Sequence, residues 1–131
     1  MNEDPLQPQE TTFPLFISLK DPANSAITLN GGAMYYNESS LNNGEDFIII
    51  RIDNDTFLAL SSFCTHQGCQ VNIPSTDKPT IYCPCHFAEF SPITGEVIIQ
   101  PKQGSATNLP VFKTEYDALN NRLTVYLPGN D

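Results

Sequence analysis

Cys64-Thr65-His66-Gln67-Gly68-Cys69 and Cys83-Pro84-Cys85-His86 hold all four cysteines and both histidines of a 131-residue chain. The pattern is C-x-H, sixteen intervening residues, then C-x-x-H. Each half puts one thiolate and one imidazole on a tight loop. Two such loops can reach one metal site from opposite sides. A lone Cys or His is commonly a packed core residue, but six of them confined to two short segments is not a core pattern. A thiolate pair with an imidazole pair suits a tetrahedral zinc. It suits equally a 2Fe–2S centre with two cysteines on one iron and two histidines on the other. Cys69 and Cys85 are left over, one in each loop.

Outward from these loops the chain reads as β-structure. Phe13–Leu19, Ala26–Leu29, Ala33–Tyr36, Phe47–Asp53, Thr56–Ser61, Thr80–Tyr82, Glu96–Ile99, Val111–Tyr116 and Leu123–Leu127 are short runs rich in β-branched and aromatic residues. Asn-Gly, Asn-Asp and Pro-to-Gly turns separate them. No stretch of ten residues has a helical period. The expected fold class is all-β, an antiparallel sandwich or barrel. One domain is expected over residues 1–131. A framework of residues 13–62 and 111–127 would frame an inserted cluster-binding subdomain at 63–110, where Cys, His, Pro and Gly accumulate. Residues 1–12 read as a flexible arm and 37–46 as a polar surface loop. Phe47-Ile48-Ile49-Ile50 reads as a buried strand. Glu89 and Lys102 read as solvated.

Acidic residues outnumber basic ones 15 to 6, for a formal charge of −9. Nucleic acid is not expected as a partner, because phosphate binding needs clustered Lys and Arg. A basic protein partner is favoured. No run approaches the ~20 apolar residues of a membrane-spanning helix. The first ten residues lack the basic and apolar regions of an export signal. No nucleophile–base pair, phosphate-binding glycine loop or acid–base carboxylate pair surrounds the motif.

The two cysteine segments resemble the Rieske iron–sulfur proteins, in the branch whose loops read C-T-H-x-G-C and C-P-C-H. The resemblance extends through Gly104-Ser105-Ala106-Thr107 and Leu109-Pro110, which look like the family's third, proline-containing loop. It implies a Rieske-type 2Fe–2S cluster, one per chain, with Cys64 and Cys83 on the inner iron and His66 and His86 on the outer, redox-active iron. It implies a loop-to-loop disulfide, Cys69–Cys85. Disulfides persist in oxidising compartments, so the periplasm or the outer face of a membrane is expected, with an export signal or anchor lost. Single-electron transfer at the histidine edge is the expected function, to a redox protein such as a cytochrome. A Rieske subunit of a larger oxidoreductase is the second reading. A structural zinc module is a remote third, because zinc gives no reason for Cys69 and Cys85.

The sequence departs from the quinol-oxidising members of that family. Their second loop continues Gly-Ser-x-Tyr after the histidine, and both hydroxyls donate to cluster sulfur. Here the positions read Phe87-Ala88-Glu89-Phe90, so both donors are missing and a lower potential is expected. Gln67 replaces the leucine usual at the quinol-docking tip, which argues against direct quinol oxidation. Ser105 stands where many relatives have proline, so a looser third loop is expected. Gln67, Phe87, Ala88, Phe90 and Ser105 are the expected shell around the cluster. His86 to Phe90, with Gly104 to Pro110, is similar to the small subunit of arsenite oxidase.

Overall fold

A computed structural model describes residues 11–65 and 68–130. Among the described residues, ten strands form three antiparallel sheets. The outer framework sheet joins β1 (Thr12–Ser18), β10 (Arg122–Pro128) and β9 (Thr114–Asp117), in that order. The middle sheet orders β2 (Ala33–Tyr36), β3 (Phe47–Arg51), β4 (Phe57–Ser61) and β8 (Val111–Phe112). The third and smallest orders β5 (Ile81–Tyr82), β6 (Glu89–Phe90) and β7 (Val97–Ile99). The all-β expectation holds.

The middle sheet is covered on both faces, which explains why β3 is apolar without alternation. Side chains alternate across a strand. Phe47 and Ile49, with Phe57 and Ala59 of β4, join Ile17, Leu123, Val125 and Leu127 of the outer sheet in one core cluster. Ile48 and Ile50, with Leu58 and Leu60, face the other way. They pack with Val71, Ile81, Ala88, Phe90, Leu109 and the two cysteines Cys64 and Cys83. The β3–β4 register pairs Ile48 with Leu60 and Ile50 with Leu58, so like faces meet. Each fully buried Ile or Phe stabilises by about 2 kcal/mol. The same hydrophobic cluster therefore floors the cysteine loops and backs the framework. Tyr35 of β2 ties the two halves by donating its hydroxyl to the Val71 carbonyl at 2.6 Å.

Two local readings are corrected, and one short strand was not read from the sequence. Ala26–Leu29 is not a strand: Pro22–Ile27 is a 3-10 helix. Asp21 caps it by accepting the Ala23 N–H at 3.0 Å, and Pro22 sits in its first turn, where a missing N–H costs nothing. Val111–Tyr116 divides into β8 and β9, which join different sheets. β6 has only two residues, and only its pairing with Ile81 and Tyr82 defines it. The expected arm lies mostly outside the described residues; Thr12 already belongs to β1.

Candidate metal centre

The two cysteine loops are closed by the same pair of backbone hydrogen bonds. In the first, the Gly68 N–H donates to the Cys64 carbonyl at 2.9 Å, and the Cys64 N–H donates to the Cys69 carbonyl at 2.6 Å. In the second, the Phe87 N–H donates to the Cys83 carbonyl at 3.0 Å, and the Cys83 N–H donates to the Ala88 carbonyl at 2.9 Å. Each cysteine thus opens a knuckle closed by the residues four and five places on. The fourth residue takes positive φ in both: 75° at Gly68 and 69° at Phe87. Glycine reaches that region freely, whereas Phe87 bears a steric cost. The first loop hangs from β4 through a bridge between Phe63 and Gln70, and Asn72 bridges to Tyr82 at the root of the second.

Cys69 and Cys85 form a disulfide between the two knuckles, with Cα atoms 6.5 Å apart. Cys64 and Cys83 lie outside that bond and are both buried in the cluster beneath the loops. His86 is half-buried. His66 and Gln67 lie outside the described residues. Of the expected shell, Ala88 and Phe90 are fully buried in that cluster, while Ser105 is exposed. Phe87 is 46% exposed.

The third loop is tied at several points. The Thr65 hydroxyl donates to the Thr107 carbonyl at 2.6 Å and accepts the Thr107 N–H at 3.0 Å. Gln100 brackets Ala106, accepting its N–H at 2.9 Å and donating to its carbonyl at 3.3 Å. The Lys102 N–H donates to the His86 carbonyl at 2.9 Å. Asn108 caps the edge of β7 by accepting the Val97 N–H at 2.9 Å. The expectation of a looser loop from Ser105 thus meets a loop bonded to both knuckles and to β7. Sequence reading missed Thr65 as a latch. Its place between ligand candidates was a signal, but its partner lies 42 residues away.

Glu89 is also not a free turn carboxylate. It pairs with Lys78 at 2.9 Å and accepts the Thr80 hydroxyl at 2.8 Å. The Lys78 and Thr80 hydrogen bonds hold its carboxyl below its ordinary range. Lys78 lies over the Tyr82 ring at 4.8 Å, and Lys102 over the Phe87 ring at 5.1 Å.

An all-β domain that pins two matching cysteine knuckles together beside two further buried thiols defines a two-loop metal-binding module. A family model described as the Rieske [2Fe-2S] domain matches residues 34–113. The chain belongs to that family, and its cofactor is a Rieske-type 2Fe–2S cluster. It is 40% identical over 58 residues to the cytochrome b6-f complex iron-sulfur subunit of Chlorobaculum thiosulfatiphilum, covering 44% of this chain and 31% of that protein. It is 36% identical over 56 residues to a putative respiratory nitrate reductase Rieske subunit of Haloferax mediterranei, covering 42% of this chain and 24% of that protein. The chain therefore spans less than a third of these relatives' length. In fold it is similar to the ferredoxin of carbazole 1,9a-dioxygenase from Nocardioides aromaticivorans IC177, with TM-score 0.57 and 19% identity over 88% of this chain and 96% of that one. A structure titled as the complex of reduced oxygenase and oxidized ferredoxin in carbazole 1,9a-dioxygenase matches with TM-score 0.53 and 23% identity, over 82% and 88% of the two chains.

The residues present fit the group. A Rieske cluster needs only two protein ligands on each iron. Two cysteine side chains rest on an apolar floor, one in each knuckle, and the half-buried His86 stands in the second. Among the described residues no three His, Cys, Asp or Glu side chains form a site for a single ion.

Proposed function

We propose that this chain passes single electrons between redox partners, through a cluster held by Cys64, His66, Cys83 and His86. The observation that carries this reading is the pair of matching knuckles, stapled by Cys69–Cys85 over buried Cys64 and Cys83. When bound, the cluster supplies a one-electron couple at roughly −150 to +300 mV, because neutral imidazoles leave it less negative than a four-cysteine cluster. The chain's own residues do the rest. The apolar cluster under Cys64 and Cys83 excludes water from the thiolate side. The disulfide fixes the separation of the loops, and the Thr65–Thr107 latch lays the third loop against them.

Residues 63–110 serve as the cluster-holding unit and the two larger sheets as its framework. The partner is a redox protein such as a cytochrome, or a larger oxidoreductase of which this chain is a subunit. The curated relatives, named as complex subunits, favour keeping that second reading. Co-purification of a partner through a large interface would establish it. The disulfide favours an oxidising compartment, the periplasm or the outer face of a membrane. Among the described residues no helix is long and apolar enough to cross a membrane.

The deciding experiment is spectroscopic. The purified protein is expected to be red-brown, to contain two irons per chain, and to give a paramagnetic resonance signal when reduced. A colourless, iron-free, zinc-containing protein overturns the reading.

A further inference from the structure

The charge of this chain is not spread evenly. Residues 63–110 carry three acidic and two basic side chains, while the remaining residues carry twelve and four. Nearly all the net charge of −9 therefore belongs to the framework and its ends. Four of those twelve acids lie outside the described residues, and Asp46 of the framework reaches the first cysteine loop by accepting from the Gln70 amide at 3.3 Å. At physiological salt, charges beyond about 8 Å are screened, so the contact at the cluster end is decided by what lies there.

What lies there is a strip on the outer face of the third sheet. Lys78 sits over Tyr82, whose ring centroid is 6.2 Å from that of Phe87. Phe87 in turn lies under Lys102, whose backbone N–H holds the His86 carbonyl. Glu89 is paired with Lys78, so the strip's one carboxylate is neutralised. Ile99, opposite Glu89 in the register, is 47% exposed. Phe87 is held outward at positive φ, beside a ligand candidate.

Resting on the electron-transfer reading, we infer that this lysine–aromatic strip is the docking face for the redox partner. The partner's contact patch is apolar at its centre and bears carboxylates that meet Lys102. An aromatic centre with a charged rim is the pattern of a small transient interface. The overall acidity of the chain argues for a basic partner; the local surface argues for the opposite at the point of contact.

Two small oxidants of opposite charge test this on the cluster-loaded protein. Oxidation of the reduced protein by hexacyanoferrate(III) and by tris(phenanthroline)cobalt(III) is followed by stopped flow. The ratio of the two rates cancels any change in driving force and reads the local charge. Lys102→Glu should lower the anion-to-cation rate ratio by about tenfold or more at 0.1 M ionic strength. Lys20→Glu, two residues past the end of β1 in the framework, makes the same change in net charge and should leave the ratio within about twofold. An unchanged ratio in Lys102→Glu, or an equal fall in Lys20→Glu, overturns the docking face while leaving electron transfer intact. Failure of both ions to oxidise the protein sinks the electron-transfer reading and the docking face with it. A redox-inert anion gives an independent readout. Hexacyanochromate(III) should broaden the nuclear magnetic resonance signals of the Lys102 and Ile99 side chains before that of Lys20; broadening centred on the framework overturns the proposal.

Discussion

Ala88 and Phe90 are fully buried beside the cysteines, so whatever they lack cannot be supplied there by solvent. A hydrogen bond to a charged acceptor contributes about 1.5 kcal/mol, equivalent to roughly 65 mV for a one-electron couple. The Ala88→Ser, Phe90→Tyr double variant should therefore raise the midpoint by roughly 100 mV in film voltammetry, from a wild-type value below the top of the Rieske range. An unmoved midpoint, or a wild-type value already at the top, would show that these positions do not set the potential. Phe87 supplies a second prediction. A non-glycine residue at φ 69° bears a strain of about 1–2 kcal/mol. Phe87→Gly should therefore be more stable than Phe87→Ala by about 1 kcal/mol in urea unfolding, although both lose the same ring contacts. Equal stabilities would mean the strain is relieved elsewhere.

Elements explain how the loops are held. The third loop has no regular structure, and the Thr65 hydroxyl supplies its tie to the first knuckle. Thr65→Val keeps the shape and removes both bonds. It should cost about 1 kcal/mol and speed hydrogen exchange at the Thr107 amide, whereas Thr65→Ser should do neither. If Val and Ser behave alike, the latch contributes nothing. On β6, the carboxyl of Glu89 is held below its ordinary value by Lys78 and Thr80. A group with a depressed folded pKa stabilises above its unfolded pKa and loses that contribution as pH falls through the folded one. Stability should therefore fall on acidification below about pH 4.5, with the Glu89→Gln variant showing a smaller drop in that window. The clamp is partly open to solvent, so the effect should weaken with salt. An equal drop in both proteins would assign the acid loss to other carboxylates.

At the scale of the molecule, the disulfide closes a loop of sixteen residues between the two knuckles. Such a closure stabilises by about 3 kcal/mol through the unfolded chain. The Cys69→Ala, Cys85→Ala double variant should melt roughly 10 °C lower and lose its cluster faster under chelation. Unchanged melting with unchanged cluster lifetime would mean that packing alone holds the loops. The framework has a complementary task. Its middle sheet shares one face with each half of the molecule, so the cluster end cannot shift without disturbing the core that β3 and β4 build. This places a rigid floor beneath the loops and leaves their outer edge exposed.

The sequence by itself determined the ligand candidates, the cofactor class and the all-β framework. Four cysteines and two histidines confined to two short segments are not a chance scatter. The strands β2, β3 and β4 were legible to within a residue or two because the β3–β4 core pattern and the flanking Asn and Asp turns are local signals. The leftover Cys69 and Cys85 became a disulfide reading only through resemblance, and the fold brought them together. Other features rested on the tertiary structure because each depends on contacts distant in sequence. The latch joins Thr65 to Thr107, the clamp joins Glu89 to Lys78 and Thr80, and β6 exists only through its pairing. The 3-10 turn at Pro22–Ile27 was misread because a cap and a proline outweighed strand propensity. Composition reported the net charge of −9 but not its place. Packing put Lys102 over Phe87 next to His86 and Lys78 over Tyr82, and the docking proposal rests on that placement rather than on the net charge.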